Sequence, residues 1–213
     1  AMTNIEPMLE QGVSGGMPFR PVEDGRALPP VLTALRAGAA ADVALVTGTT
    51  ADEWNLFGLM DMQAVDDAVL RQRIDALAGD ADKVLSLYGT EGADPKAVFA
   101  TFATDLVFRY PAVELAEAQL TQHGDVWQYL FTWATPALYG MLGSCHALEL
   151  PFVFGQAGDA HMAAFLGTEP PMALSEAMMD AWLAFARTGD PGWPRYDLDR
   201  RPVQEFGEQL RVL

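Results

Sequence analysis

Asp52, Glu53 and His146 are the residues whose types and places fit proton-transfer chemistry. Asp52 and Glu53 lie just past a short apolar run, Asp42 to Thr47 (DVALVT). His146 lies on a loop past a second run, Val126 to Trp133 (VWQYLFTW). Open α/β sheets bind ligands outside the carboxyl ends of their strands, so side chains placed there are poised for chemistry. An acid beside a histidine fixes the imidazole's tautomer and stabilises the imidazolium, while the histidine takes a proton from a nucleophile and later returns it. On position alone a structural histidine bonded to a carbonyl is the better reading; the acids raise the other. Spacing does not choose between Asp52 and Glu53.

Other reactive residues carry less. His146 and Glu149 stand three apart, but the chain runs into Pro151 and no third ligand is near. His123 and His161 are isolated, so the sequence predicts no metal site. Glu149 is expected to brace the loop by accepting hydrogen bonds. Cys145 adjoins His146, yet adjacent side chains seldom face each other, and a buried, inert thiol is the expectation. Gly12-Val13-Ser14-Gly15-Gly16 matches the G-x-S-x-G pattern of a nucleophile elbow. An elbow needs a strand before it and a helix after it. Here Met17-Pro18-Phe19-Arg20-Pro21 follows, which cannot start a regular helix, so a glycine-rich loop is the better reading.

The elements that must position the acids and the histidine are legible in outline. Residues 3 to 30 carry glycine and proline too often for a long element. Pro30 opens a short helix, Val31 to Ala37, stopped by Gly38. Asp42 to Thr47 reads as a buried strand. A helical turn with Trp54, Phe57 and Leu59 follows, and Trp54, Phe57, Trp127 and Phe131 are expected to be mostly core. From about 66 to 124 the pattern is helical: Val69, Ile74 and Leu77 mark one segment, and Val84, Leu85 and Leu87 a second. Asp94-Pro95 opens a third, and Pro111 starts a fourth that Gly124 closes. Four helices in a row predict a side layer inserted between two strands. Ser175 to Thr188 reads as the best helix, with Ser175 as its N-cap and Gly189 as its stop. Pro191, Pro194 and Pro202 predict a loop, and Leu210 to Leu213 a last strand.

Composition bounds the rest. The chain has 213 residues, half of them apolar, enough for one domain with a real core. With 29 acids against 13 bases its formal charge is −16, a field that repels phosphate backbones and argues against a nucleic-acid partner. The single cysteine, Cys145, rules out an intrachain disulfide and fits a reducing compartment. No apolar run approaches the roughly 18 residues that span a bilayer. The expectation is a soluble, cytoplasmic chain, one unit over 1–213, with no cofactor and no membrane partner.

Three stretches carry a family resemblance. GTTADEWNLF, WATPALYGMLGSCHALELPFVFG and AWLAFARTGDPGWPRYD resemble the type-B carboxylesterases, the esterase and cholinesterase family of α/β-hydrolases that includes para-nitrobenzyl-esterase-like proteins. PFRPVEDGRALP resembles the family's segment before its acid-bearing strand. The likeness runs from about Pro18 to the C-terminus, and its motifs are long and in order. It implies the C-terminal part of an α/β-hydrolase fold, helix-rich, with a small and mostly parallel sheet. It also implies that Glu53 is the triad acid and His146 the triad base, in the order Ser…Asp/Glu…His. The family's serine elbow and oxyanion loop lie well upstream of the acid, and no segment here corresponds to them. Losing the serine alone costs roughly a millionfold in kcat in a well-studied protease. The resemblance therefore implies a fragment or truncated carboxylic ester hydrolase, inactive alone, whose substrate is a small uncharged ester once an N-terminal half complements it. The alternative is a non-catalytic interaction module of the same family. A chain cut before its acid strand leaves a bare sheet edge, so the isolated piece is expected to self-associate.

Overall fold

The computed structural model describes residues 24–213 except 62, 89–91 and 123. Ser14, His123 and the stretch before residue 24 lie outside them. Among the described residues four strands form one sheet in chain order: Leu45–Thr50 (β1), Val126–Phe131 (β2), Val203–Phe206 (β3) and Leu210–Val212 (β4). β1 and β3 both pair with β2 in parallel, and β4 turns back antiparallel on β3. This is the small, mostly parallel sheet the sequence implies, with the two site-bearing strands side by side.

β1 begins and ends three residues later than its apolar run. Val43 N–H closes a turn on the Ala40 carbonyl, and the ladder starts where Leu45 N–H meets the Asp125 carbonyl at 2.8 Å. At the other end Gly48, Thr49 and Thr50 extend the strand instead of turning. A Cβ at Gly48 would collide with the ring and carbonyl of Tyr129 on β2, so only glycine lets the strands approach there. The threonines then suit a strand through their β-branching.

After α1 (Val31–Arg36), the crossover from β1 to β2 is helical. It comprises α2 (Trp54–Met60), α3 (Asp67–Ala78), α4 (Ala81–Tyr88), α5 (Pro95–Thr104) and α6 (Tyr110–Leu120). Asp66 caps α3 by accepting from Val69 N–H, and Gly79 ends it in the left-handed region. Leu70, Ile74 and Leu77 form its buried face, one register off the expected Val69 stripe. That face meets Leu85, Val98, Phe99 and Phe102 in a core of its own, which Trp54 also joins. The predicted break before Pro111 is not there. A single π turn, Asp105–Arg109, joins α5 to α6 in one continuous run, with Tyr110 N–H bonded to the Asp105 carbonyl. Proline inside a helix lacks an N–H and crowds the carbonyl four residues back. The widened turn just before Pro111 absorbs it.

Beyond β2 come α7 (Leu150–Val153), α8 (Ala163–Leu166) and the long α9 (Met172–Thr188). α9 starts at Met172, three residues before the expected Ser175, and stops at Gly189 (φ 76) as predicted. Ser175 is not its cap. It is fully buried inside the helix, and its Oγ donates to the Phe152 carbonyl at 2.8 Å, fastening α9 to α7. Met178, Trp182 and Phe185 pack with Trp127, Phe131 and Phe206 of the sheet in the main core. β3 falls in the stretch predicted to be loop. Its four residues are too few to show a period, and Pro202 hides their start.

Candidate active site

The two strand ends are fastened to the same atom. The carbonyl of Phe131, the last residue of β2, accepts from Ala51 N–H at 2.9 Å and from Ser144 Oγ at 2.8 Å. The turn after β1 and the loop after β2 therefore start from one anchor. Asp52 and Ser144 then pair reciprocally: Asp52 N–H donates to the Ser144 carbonyl and Ser144 N–H to Asp52 Oδ2, both at 2.9 Å. Asn55 Nδ2 adds a bond to the Leu142 carbonyl at 3.2 Å. Gly143 sits between them at φ 57, where a Cβ would come within 2.5 Å of Asp52 Oδ2. Asp52 is thus the residue that stitches the two loops together, the bracing role expected of Glu149.

Glu53 faces the other way. It sits at the N-terminal end of α2, 5 % exposed, and Oε1 accepts from Thr50 N–H at 2.8 Å. Its Oε2 lies 2.6 Å from His146 Nδ1. A carboxylate only accepts, so this contact assigns the imidazole proton to Nδ1 and leaves the lone pair on Nε2. Among the described residues no hydrogen bond engages Nε2. The imidazole is held out by its neighbours: Cys145 and Leu148 are fully buried on either side, and Ala147 takes φ 64 between them. His146 keeps 42 % of its side chain exposed against 6 % for Glu53.

The electrostatics follow the geometry. The Glu53 hydrogen bond raises the His146 pKa above its ordinary value; partial burial opposes this, and the charges of Glu53 and Glu149 add to it. Burial pushes Glu149 up as well, and its Oε2 is buried without a hydrogen-bond partner among the described residues. Burial also pushes the Cys145 thiol up to about 11, which keeps it protonated and inert.

Two phenyl rings touch the imidazole. Phe57, one helical turn past Glu53, lies with its centroid 5.2 Å away, and Phe108 of the π turn lies 5.1 Å away. Phe57 packs against the helical core, as expected of it, and its i, i+4 spacing from Glu53 also brings it to the site. Nothing in the sequence pointed to Phe108. Among the described residues no group of three His, Cys, Asp or Glu is arranged to hold a metal ion. No helix there is long and apolar enough to cross a membrane.

The family model described as "Carboxylesterase family" matches residues 1–211. The chain belongs to the carboxylesterase family. Para-nitrobenzyl esterase of Bacillus subtilis (strain 168) is 36% identical over 205 residues, covering 91% of this chain and 40% of its own length. Phenmedipham hydrolase of Pseudarthrobacter oxydans is 26% identical, covering 96% of this chain and 44% of its own. Among solved structures, the Geobacillus stearothermophilus carboxylesterase EST55 at pH 6.2 superposes with a TM-score of 0.80 at 35% identity, over 96% of this chain and 45% of that one. The fold is accordingly that of an α/β-hydrolase esterase. This carboxylesterase chain spans less than half the length of these relatives.

Proposed function

We propose that these residues are the acid–base half of a serine carboxylic ester hydrolase. Glu53 orients His146 through Nδ1, and Nε2 removes the proton from a serine supplied by polypeptide other than these 213 residues. Nε2 then returns that proton to the leaving alcohol and repeats the cycle with the water that cleaves the acyl-enzyme. The observation that carries this reading is the 2.6 Å contact from buried Glu53 to Nδ1, with Nε2 left open. A drifting interaction module has no reason to keep an acid buried against that nitrogen. The substrate class, a small uncharged ester, rests on family membership and on the names of the relatives. We place the reaction in the cytoplasm, which fits a chain whose one cysteine allows no intrachain disulfide.

Ser14 is not the nucleophile in this proposal, so the isolated chain has no meaningful esterase activity. The test is to incubate it with a p-nitrophenyl ester and with a fluorophosphonate probe. The expected result is turnover no faster than free imidazole gives, and no stoichiometric label. Rapid, stoichiometric labelling of Ser14 overturns the reading.

A further inference from the structure

We propose that the π turn Asp105–Arg109 is a positioning element for the Glu53–His146 pair, with Phe108 as the side chain that fixes the plane of the imidazole. The inference rests on the ester-hydrolase reading only for what Nε2 is aimed at; the restraint of the ring does not depend on it.

Glu53 holds one ring atom, which is not enough. The torsion that turns a histidine ring joins an sp³ carbon to an sp² carbon and is broad, so the imidazole can still tilt about its tether. Phe57 and Phe108 close off that tilt. Their centroids are 6.0 Å apart and their planes nearly parallel, at 21°. The imidazole lies against both at 43°, so the three rings form a compact triangle with the histidine resting in the notch of the other two. Beside them the His146 side chain keeps 42 % of its surface exposed. A displacement of about 1 Å at a reacting atom costs on the order of a hundredfold in rate, so such a restraint matters.

The π turn is what brings its residues to the pair. Thr104, at the end of α5, accepts from Trp54 N–H at 3.0 Å and so already faces the turn after β1. In a regular helix of 3.6 residues per turn, residue 109 would point roughly 140° away from residue 104. A π turn stacks residue i+5 near residue i instead. Arg109 therefore comes round and donates to the Ala51 carbonyl at 3.0 Å, two residues before Glu53. Phe108 arrives beside it against His146. Asp105 pins the turn from its first residue, taking Arg109 in an ion pair and the Tyr88 hydroxyl at 2.8 Å. One widened turn thus touches both the segment that carries the acid and the ring of the base.

The test uses the full 213-residue chain, labelled with ¹⁵N, and reads the His146 imidazole by NMR. In the unaltered chain, cross-relaxation must connect His146 ring protons to Phe108 ring protons; its absence overturns the proposal before any variant is made. Phe108→Leu keeps an apolar side chain of somewhat smaller volume and removes the flat face. It is expected to speed exchange of the Nδ1 proton with water at least about tenfold while the dispersed amide spectrum persists. Phe108→Tyr restores the flat face and should return exchange to within about twofold of the parent. A Phe108→Leu chain whose Nδ1 proton exchanges as slowly as the parent's contradicts the proposal, as does a Phe108→Tyr chain that exchanges as fast as Phe108→Leu. Rapid fluorophosphonate labelling of Ser14 while the ring restraint is present overturns the ester-hydrolase reading and leaves the π-turn role standing.

Discussion

Adjacent carboxylates do different work here, and burial decides which does what. Glu53 is buried and gives one oxygen to Thr50 N–H and the other to His146, while Asp52 spends an oxygen on the Ser144 backbone. The Glu53 bond raises the His146 pKa, so the folded value lies above the unfolded one near 6.5. The sign of the linkage follows. The pair's contribution to stability is fully present below the unfolded value and fades as pH rises through the folded one. Glu53→Gln is therefore expected to lower the His146 pKa, measured by NMR titration. It should also lower Tm most on the acid side of neutrality, with the difference shrinking toward alkaline pH. A His146 titration unchanged by Glu53→Gln contradicts the pairing. Position past a strand end marked both acids in the sequence, but only the family resemblance favoured Glu53. The physical separation needed the partner atoms, because two neighbouring residues share every spacing argument.

At the scale of elements, the site is a pair of loops held in register by small residues. Gly143 has both a left-handed backbone and no room for a Cβ beside Asp52. Gly143→Ala is expected to destabilise the chain by about 2 kcal/mol or more, read by urea unfolding, because strain and collision add. An unchanged midpoint contradicts the stitching role given to Asp52. Long helices were legible from their periods and ends: Asp94 opens one and Gly189 stops another, as the sequence places them. The failures have local causes. β1 slid because a glycine that reads as a turn is there for strand–strand contact. Ser175 looked like a cap because its hydroxyl partner, the Phe152 carbonyl, is distant in sequence. The π turn had one signal, a proline inside a helical period, which read as a helix start.

At the scale of the whole molecule, β1 is an edge strand among the described residues, paired on one side only. β1 meets β2 along its full length, and among the described residues no strand pairs its other edge. Unpaired N–H and C=O groups on an edge strand template association with another chain. The isolated chain is accordingly expected to self-associate at micromolar concentration, and sedimentation showing a clean monomer counts against it. The formal charge of −16 opposes that association, so it should strengthen as added salt screens the repulsion.

The same edge is where a complementary half would pair, and joining the two is the most direct test of the central claim. This chain, fused behind the portion of the Bacillus subtilis para-nitrobenzyl esterase that it does not match, should hydrolyse a p-nitrophenyl ester. His146→Ala in the fusion should then lower kcat by roughly ten-thousandfold or more, leaving only the residual catalysis of binding and oxyanion contacts. A folded, active fusion whose kcat falls by less than about tenfold in His146→Ala contradicts the claim that His146 is the base.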